Sequence, residues 1–145
     1  MTDELMRISE LLQHGFCCSQ VLVLMGLEAQ GKENADLVRA VQGLCGGIGS
    51  AGETCGSLTG AACLLGLYAG RGLPTETSDW QLGLMLDELA AWFKEDVGER
   101  YGGIRCSQIL AGDPANQPLR CPGIVVETWQ KARDLLAANG FDLVG

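Results

Sequence analysis

Glycines divide the apolar part of this sequence into short segments, and within each segment apolar residues recur at the spacing of an α-helix. The first segment runs from Asp3 to Gln13 and is followed by Gly15, a helix stop signal. The same pattern predicts further helices over 17–29, 34–44, 55–68, 76–97 and 122–139, and a helical turn over 105–110. We therefore expect an all-α protein, a compact bundle of about six helices that forms a single domain over 1–145.

The most unusual stretch is 43–60, which lies between predicted helices three and four and is dense in glycine. Glycine permits positive backbone torsions and lets the main chain approach a neighbouring group closely. We expect a glycine-rich loop that lines a tight pocket, with Gly46, Gly47 and Gly49 as candidates to donate backbone N–H groups to an anionic ligand. Thr54 is the expected N-cap of the fourth helix, and Gly56 and Gly60 on one face of that helix would let another helix or a cofactor come close.

Three glycines of this stretch, Gly47, Gly49 and Gly52, also match the spacing of the dinucleotide-binding motif. That motif requires a strand before it and a βαβ unit around it. The residues that precede Gly47 have the pattern of a helix end. We therefore set a dinucleotide site aside.

Composition and charge exclude several classes of protein. The formal net charge of −8 opposes nucleic-acid binding, because that binding rests on lysine and arginine contacts to phosphate. No stretch is long and apolar enough to predict membrane insertion. The N-terminal residues lack the basic region and apolar run of a signal peptide, so the expected location is cytoplasmic. A homodimer is expected from the apolar helices.

The chain contains seven cysteines, and no two are spaced as CxxC. In a reducing compartment, several cysteines indicate metal, cluster or thiol chemistry more often than a disulfide framework. Four of them stand at predicted helix starts, where backbone N–H groups favour a thiolate over a thiol. These four candidate catalytic and metal-ligating residues are Cys18, Cys55, Cys106 and Cys121. If the fold brings them together, they could hold a metal cluster or exchange with disulfides.

Five segments together resemble the C_GCAxxG_C_C family of putative redox-active proteins: 15–20, 43–49, 55–60, 105–110 and 121–122. The resemblance extends over nearly the whole chain. It implies four functional cysteines, which correspond to the four at the predicted helix starts. Cys17, Cys45 and Cys63 lie outside that set. The chain differs from the family motif at Ser57, where alanine is usual, and we expect the packing to tolerate this change.

The resemblance implies redox activity, as an oxidoreductase or an electron-transfer protein, without naming a substrate or a redox partner. Two mechanisms are open: the four cysteines ligate an iron–sulfur cluster, most simply [2Fe-2S], or two of them form a reversible disulfide. From a different class, they could hold structural zinc in a scaffold or partner-binding module, although separated ligands are less typical of zinc sites. A similar cysteine pattern occurs in domains like those of split-Soret cytochromes. Covalent haem is not expected here, because the sequence has no CxxCH.

Overall fold

The computed structural model describes residues 2–144, and this part of the chain is an all-α protein. Two short helical pieces, Cys45–Ile48 and Glu99–Tyr101, accompany seven longer α-helices within 2–144. Those helices are α1 (Asp3–Gln13), α2 (Cys18–Ala29), α3 (Ala35–Val41), α4 (Gly56–Ala69), α5 (Gln81–Phe93), α6 (Cys106–Leu110) and α7 (Gln117–Ala138). The predicted fold class is confirmed.

Helix α1 has the predicted boundaries, and local chemistry explains both of them. The Thr2 hydroxyl accepts the backbone N–H of Leu5 at 3.2 Å, which satisfies one of the free donors at the helix start. Gly15 follows the helix with φ +93°, a conformation that glycine adopts without strain. A side-chain cap and a glycine stop therefore define this helix within the sequence itself.

Helices α2 and α4 form the centre of the bundle and lie unusually close together. A Cβ atom added at Gly60 of α4 would lie 2.6 Å from Cα of Ser19 in α2. A Cβ added at Gly26 of α2 would overlap the side chain of Leu64 in α4. We expected the glycines of the fourth helix to admit either a neighbouring helix or a cofactor. At Gly60 the neighbour is a helix, α2.

The other long helices cover this central pair. One continuous core of buried side chains draws on α1, α2, α4, α5 and α7. A smaller cluster joins α3 to the outer face of α2, and it consists of Val23, Leu27, Val38 and Val41. Cys63 is half-buried against this smaller cluster. The helices of the bundle are therefore held in place by a continuous packed core.

The glycine-rich loop expected between predicted helices three and four is not confirmed as a plain loop. Residues Gln42–Leu44 form a 3₁₀ turn, and the helical piece Cys45–Ile48 follows directly. Gly46 and Gly47 within that piece have positive φ angles of +71° and +69°. Glycine thus serves here to fold the chain tightly.

The fourth helix begins at Gly56, one residue later than predicted, and the prediction of its N-cap is wrong. Cys55, not Thr54, occupies the N-cap position of α4. Thr54 instead pairs with Arg105 in an isolated antiparallel β-bridge. A local helix signal could not reveal a partner 51 residues further along the chain.

The fifth predicted helix, over 76–97, also starts later than expected. The carboxylate of Glu76 accepts the backbone N–H groups of Gly72 and Leu73, each at 2.8 Å, and holds a turn ahead of the helix. Helix α5 begins at Gln81, and its C-terminal end continues as a π-helical turn over Lys94–Gly98. Hydrogen bonds from these main-chain N–H groups to the Glu76 side chain therefore take the place of the first predicted turn of the helix.

The last helix begins at Gln117, five residues before the predicted start at Pro122. Pro118 occupies the first turn, where a missing N–H costs nothing, and Pro122 lies inside the helix. Cys121 is therefore within α7 rather than at its N-terminus, and this prediction is wrong. The expectation failed because two prolines four residues apart were both compatible with a helix start.

None of the helices within 2–144 combines the length and apolarity needed to cross a bilayer.

We predict that Gly60→Ala destabilises the protein by about 1–3 kcal/mol, because the new methyl group would overpack the contact with the Ser19 main chain. Urea unfolding measures the effect. Gly66→Ala is the matched control in the same helix, since a Cβ at Gly66 would meet nothing within 4 Å. We expect this control to be neutral or to stabilise the protein by up to about 1 kcal/mol through helix propensity. Equal losses in both variants would contradict the close-packing interpretation.

Candidate functional site

Six of the seven cysteines line one cavity of about 560 Å³. They are Cys17, Cys18, Cys45, Cys55, Cys106 and Cys121. Most of the remaining wall is apolar, with Phe16, Ile109 and Val125 among its residues. None of the described residues that line this cavity carries a charged side chain. The fold has therefore gathered sulfur from distant parts of the chain into one largely apolar site.

Main-chain pairing brings together the two segments that carry Cys55 and Cys106. The β-bridge between Thr54 and Arg105 is flanked by two hydrogen bonds. Cys55 N–H donates to Ile104 O at 2.9 Å, and Cys106 N–H donates to Glu53 O at 2.7 Å. Each cysteine immediately follows a bridge residue, so in this antiparallel pair the two cysteines are diagonal neighbours on either side of the bridge, and the pairing fixes both in the cavity wall.

Cys18 reaches the site because Gly56 leaves room for it. Cys18 is the first residue of α2, and Gly56 is the first residue of α4. A Cβ added at Gly56 would lie only 2.5 Å from the Cys18 sulfur. The absence of a side chain at this position brings the start of α2 against the start of α4.

Cys121 enters from α7, close to the point where that helix begins. The cavity wall beside it includes Gln117, Pro118 and Pro122 of the same helix. All four sequence-predicted cysteines therefore line one cavity, although only three of them lie at a helix start.

The four glycines expected to approach a ligand are placed differently from one another. Gly46 and Gly56 line the cavity. Gly47 is buried, and a Cβ there would overlap the main chain of Glu53. Gly49 is exposed, lies outside the cavity lining and has open space where a side chain would be.

Burial and crowding, rather than the helix ends, dominate the ionisation of these thiols. The pKa of Cys18 is raised to about 12, first by burial and then by the neighbouring Cys55 and Cys121 thiolates. Burial, with smaller contributions from Cys55 and Cys106, raises the pKa of Cys121 to about 11. Burial also raises the pKa of Cys106. Backbone N–H groups at the helix starts favour the thiolates of Cys18 and Cys55 as expected, but burial outweighs them and both pKa values are raised.

Cys55 shows both effects at once. Burial raises the pKa of its thiol, while the backbone N–H groups of Ser57 and Leu58 and the Ser57 hydroxyl act to lower that pKa. Ser57 itself is only 1% exposed and lines the cavity. The serine that departs from the family motif thus lies next to a candidate functional sulfur, in a polar role that alanine could not perform.

Sequence reasoning missed the pair Cys17 and Cys45, which lie outside the four-cysteine set. They form a disulfide with a Cα–Cα distance of 6.0 Å. Cys17 directly precedes Cys18, and Cys45 directly precedes Gly46 in the cavity wall. Their positions beside motif residues were the only signal, since their sequence separation of 28 residues carries no pairing information.

The sequence model of one protein family, described as "Putative redox-active protein (C_GCAxxG_C_C)", matches residues 16–135. The chain belongs to this family. The match extends from the turn before α2 into α7 and includes all the cysteines of the cavity. No curated protein and no solved structure shows significant similarity to the chain.

Raised thiol pKa values predict slow alkylation of the reduced protein at neutral pH. For Cys18, a pKa of about 12 instead of 9.0 lowers the thiolate fraction at pH 8 by roughly a thousandfold, tenfold per pKa unit. The rate at Cys18 should therefore keep rising about tenfold per pH unit above pH 9. Peptide mass spectrometry after timed alkylation measures this, with the urea-unfolded protein as reference. A profile for folded Cys18 that levels off at or below pH 9 would show instead that the helix start governs its ionisation.

Proposed function

We propose that Cys18, Cys55, Cys106 and Cys121 act as one sulfur-based redox site that ligates an iron–sulfur cluster, most simply [2Fe-2S]. The family assignment supports redox activity in general. The observation that carries the finer proposal is the crowding of these four cysteines around one cavity, where the ionised forms repel one another. Iron bound to these sulfurs would offset the repulsion, because the positive charge of the metal compensates the thiolates that it coordinates.

The donor set fits an iron–sulfur cluster chemically. Such clusters are held by cysteine thiolates and tuned by hydrogen bonds to sulfur and by solvent exposure. The N–H groups of Ser57 and Leu58 favour ionised Cys55, and the N–H of Ser19 favours ionised Cys18. The apolar wall would limit access of water to the sulfurs. When bound, the cluster would supply one-electron transfer.

The residues of the chain would have distinct tasks in this site. The paired segments around Thr54 and Arg105 would fix two ligands, and the contact at Gly56 would fix a third. Cys121 would complete the set from α7. Ser57 would hold the Cys55 sulfur by hydrogen bonding, which is the kind of contact that sets cluster potentials.

The structural zinc alternative gains no support from the geometry. Within residues 2–144, no three histidine, cysteine, aspartate or glutamate side chains are arranged to hold one metal ion. A single zinc ion needs all its sulfur ligands at about 2.3 Å. A cluster contains more than one metal atom, so it suits sulfurs distributed around a cavity better than a single ion does.

Protein purified without oxygen is expected to contain roughly two iron and two acid-labile sulfide per chain and to absorb visible light. Serine replacement of Cys18, Cys55, Cys106 or Cys121, one at a time, should abolish or strongly reduce both. Cys63→Ser is the matched control, because Cys63 is a free cysteine outside the cavity lining. It should keep the iron content of the wild type. Colourless, iron-free protein that cannot be reconstituted would refute the cluster.

A second candidate, dithiol–disulfide cycling, is favoured by the pairing that makes Cys55 and Cys106 diagonal neighbours across two paired segments. In this reaction two thiols would give one disulfide, two protons and two electrons, and a small disulfide oxidant would be reduced to two thiols. The raised pKa values of both thiols oppose fast exchange. The cluster is for this reason the preferred proposal.

Peptide mapping after treatment with oxidised glutathione separates the two candidates. Cycling predicts that a Cys55–Cys106 disulfide accumulates in iron-free protein and disappears after reduction. The cluster proposal predicts that this pair stays bound to iron and forms no disulfide in the iron-loaded protein. Cys106→Ser should eliminate any such bond, while Cys63→Ser should leave it unchanged.

A further inference from the structure

The disulfide between Cys17 and Cys45 lies in the wall of the same cavity as the four free cysteines. Both of its residues are only partly buried. Cys17 is the N-cap of α2, and Cys45 begins the helical piece Cys45–Ile48. The bond therefore ties the glycine segment to the helix start that carries Cys18, at a place that a small reductant can reach.

The serine at position 19 provides a polar partner for the reduced form of this pair. Ser19 is fully buried, and its hydroxyl donates to Val41 O at 2.8 Å. The same oxygen lies 3.3 Å from the Cys17 sulfur and 3.3 Å from the Cys45 sulfur. A hydroxyl whose hydrogen is already in use still has lone pairs to accept other donors.

The two sulfurs have no hydrogen while they are joined, so they cannot donate to Ser19. After reduction each S–H group can donate to the Ser19 oxygen. Both thiols formed by reduction would therefore have a hydrogen-bond partner. This avoids the free-energy penalty of shielding an unpaired polar group from water. A purely structural disulfide has no need of such a partner.

The segment that the disulfide anchors has a constrained backbone. Ile48 has φ +66°, a left-handed conformation that is an outlier for a β-branched residue, and its side chain is 61% exposed. Gly46 and Gly47 beside it also have positive φ. The bond to Cys17 is the covalent link that holds this segment against α2. Breaking it would give the segment freedom to relax away from the cavity.

We infer that Cys17 and Cys45 are a second redox centre, a reversible disulfide whose reduction opens the cavity of the four free cysteines. A dithiol reductant supplies two electrons and two protons: the Cys17–Cys45 bond breaks to two thiols, and the reductant closes to its own disulfide. This inference deepens the proposed function, because the site it controls is the four-cysteine site. It does not depend on whether that site holds iron.

Thiol counting on the folded, iron-free protein tests the centre itself. Five thiols are free and two are joined in the structure, so treating the folded protein with dithiothreitol, removing the reductant and then alkylating in urea should raise the thiol count from five to seven. Removal of the reductant and mild oxidation should restore five. A pair that is reduced only after denaturation would overturn the inference, as would seven thiols before any reduction.

Timed alkylation then tests the opening of the cavity. Reduction should speed alkylation of Cys55 and Cys106 by several-fold, and a Cys17→Ser/Cys45→Ser double variant should show the faster rates with or without reductant. Cys63→Ser should respond to reductant as the wild type does. Unchanged rates in both the reduced protein and the double variant would overturn the opening.

The role of the Ser19 hydroxyl as a hydrogen-bond acceptor can be tested separately. Ser19→Ala should shift the thiol–disulfide equilibrium with dithiothreitol toward the protein disulfide by roughly five-fold, the size expected for one hydrogen bond. Thr128→Val is the matched control, because it removes another fully buried hydroxyl that donates to a helix carbonyl. An equal shift in both variants, or none in Ser19→Ala, would contradict this role. Iron content of the same variants, measured after purification without oxygen, distinguishes a failure of the cluster proposal from a failure of the switch.

Discussion

The close approach of α2 to α4 is the contact on which the rest of the molecule depends. Gly60 lets the Ser19 main chain into the face of α4, and Gly56 does the same for the Cys18 sulfur one turn earlier. A side chain at either position would separate the two helix starts. Since the helices of the outer layer pack against this central pair, a displacement here would move both the core and the sulfur cavity. The stability of the fold and the geometry of the site therefore both require that these two positions carry no side chain.

A second constraint supplies the cysteines from the other half of the chain. The pairing of Thr54 with Arg105, supported by main-chain hydrogen bonds on both sides, brings the segment of Cys106 against the segment of Cys55. Helix α7 adds Cys121 from within its first turns. The resulting site is apolar and crowded, so burial controls its chemistry. A helix start stabilises a nearby thiolate modestly, whereas desolvation and the charge of neighbouring thiolates act against ionisation more strongly.

The cavity therefore contains sulfur in two different states. Cys17 and Cys45 are joined, while the four family cysteines are free thiols with raised pKa values. A disulfide exchanges electrons in pairs and a simple iron–sulfur cluster exchanges them singly. Ser19 links the two systems physically, because its oxygen contacts the joined pair and its N–H favours the ionised form of Cys18.

The sequence by itself determined the helical class, most helix ends and the four cysteines of the family, because helical periodicity, caps and glycine stops are local signals. It could not place Cys121 inside α7 or exclude Thr54 as a cap, since those outcomes depend on competing prolines and on a distant strand partner. Only the tertiary structure decided that burial outweighs the helix ends and that Cys17 meets Cys45. Both follow from which surfaces pack together, and packing between residues far apart in the chain leaves no periodic trace in a single sequence.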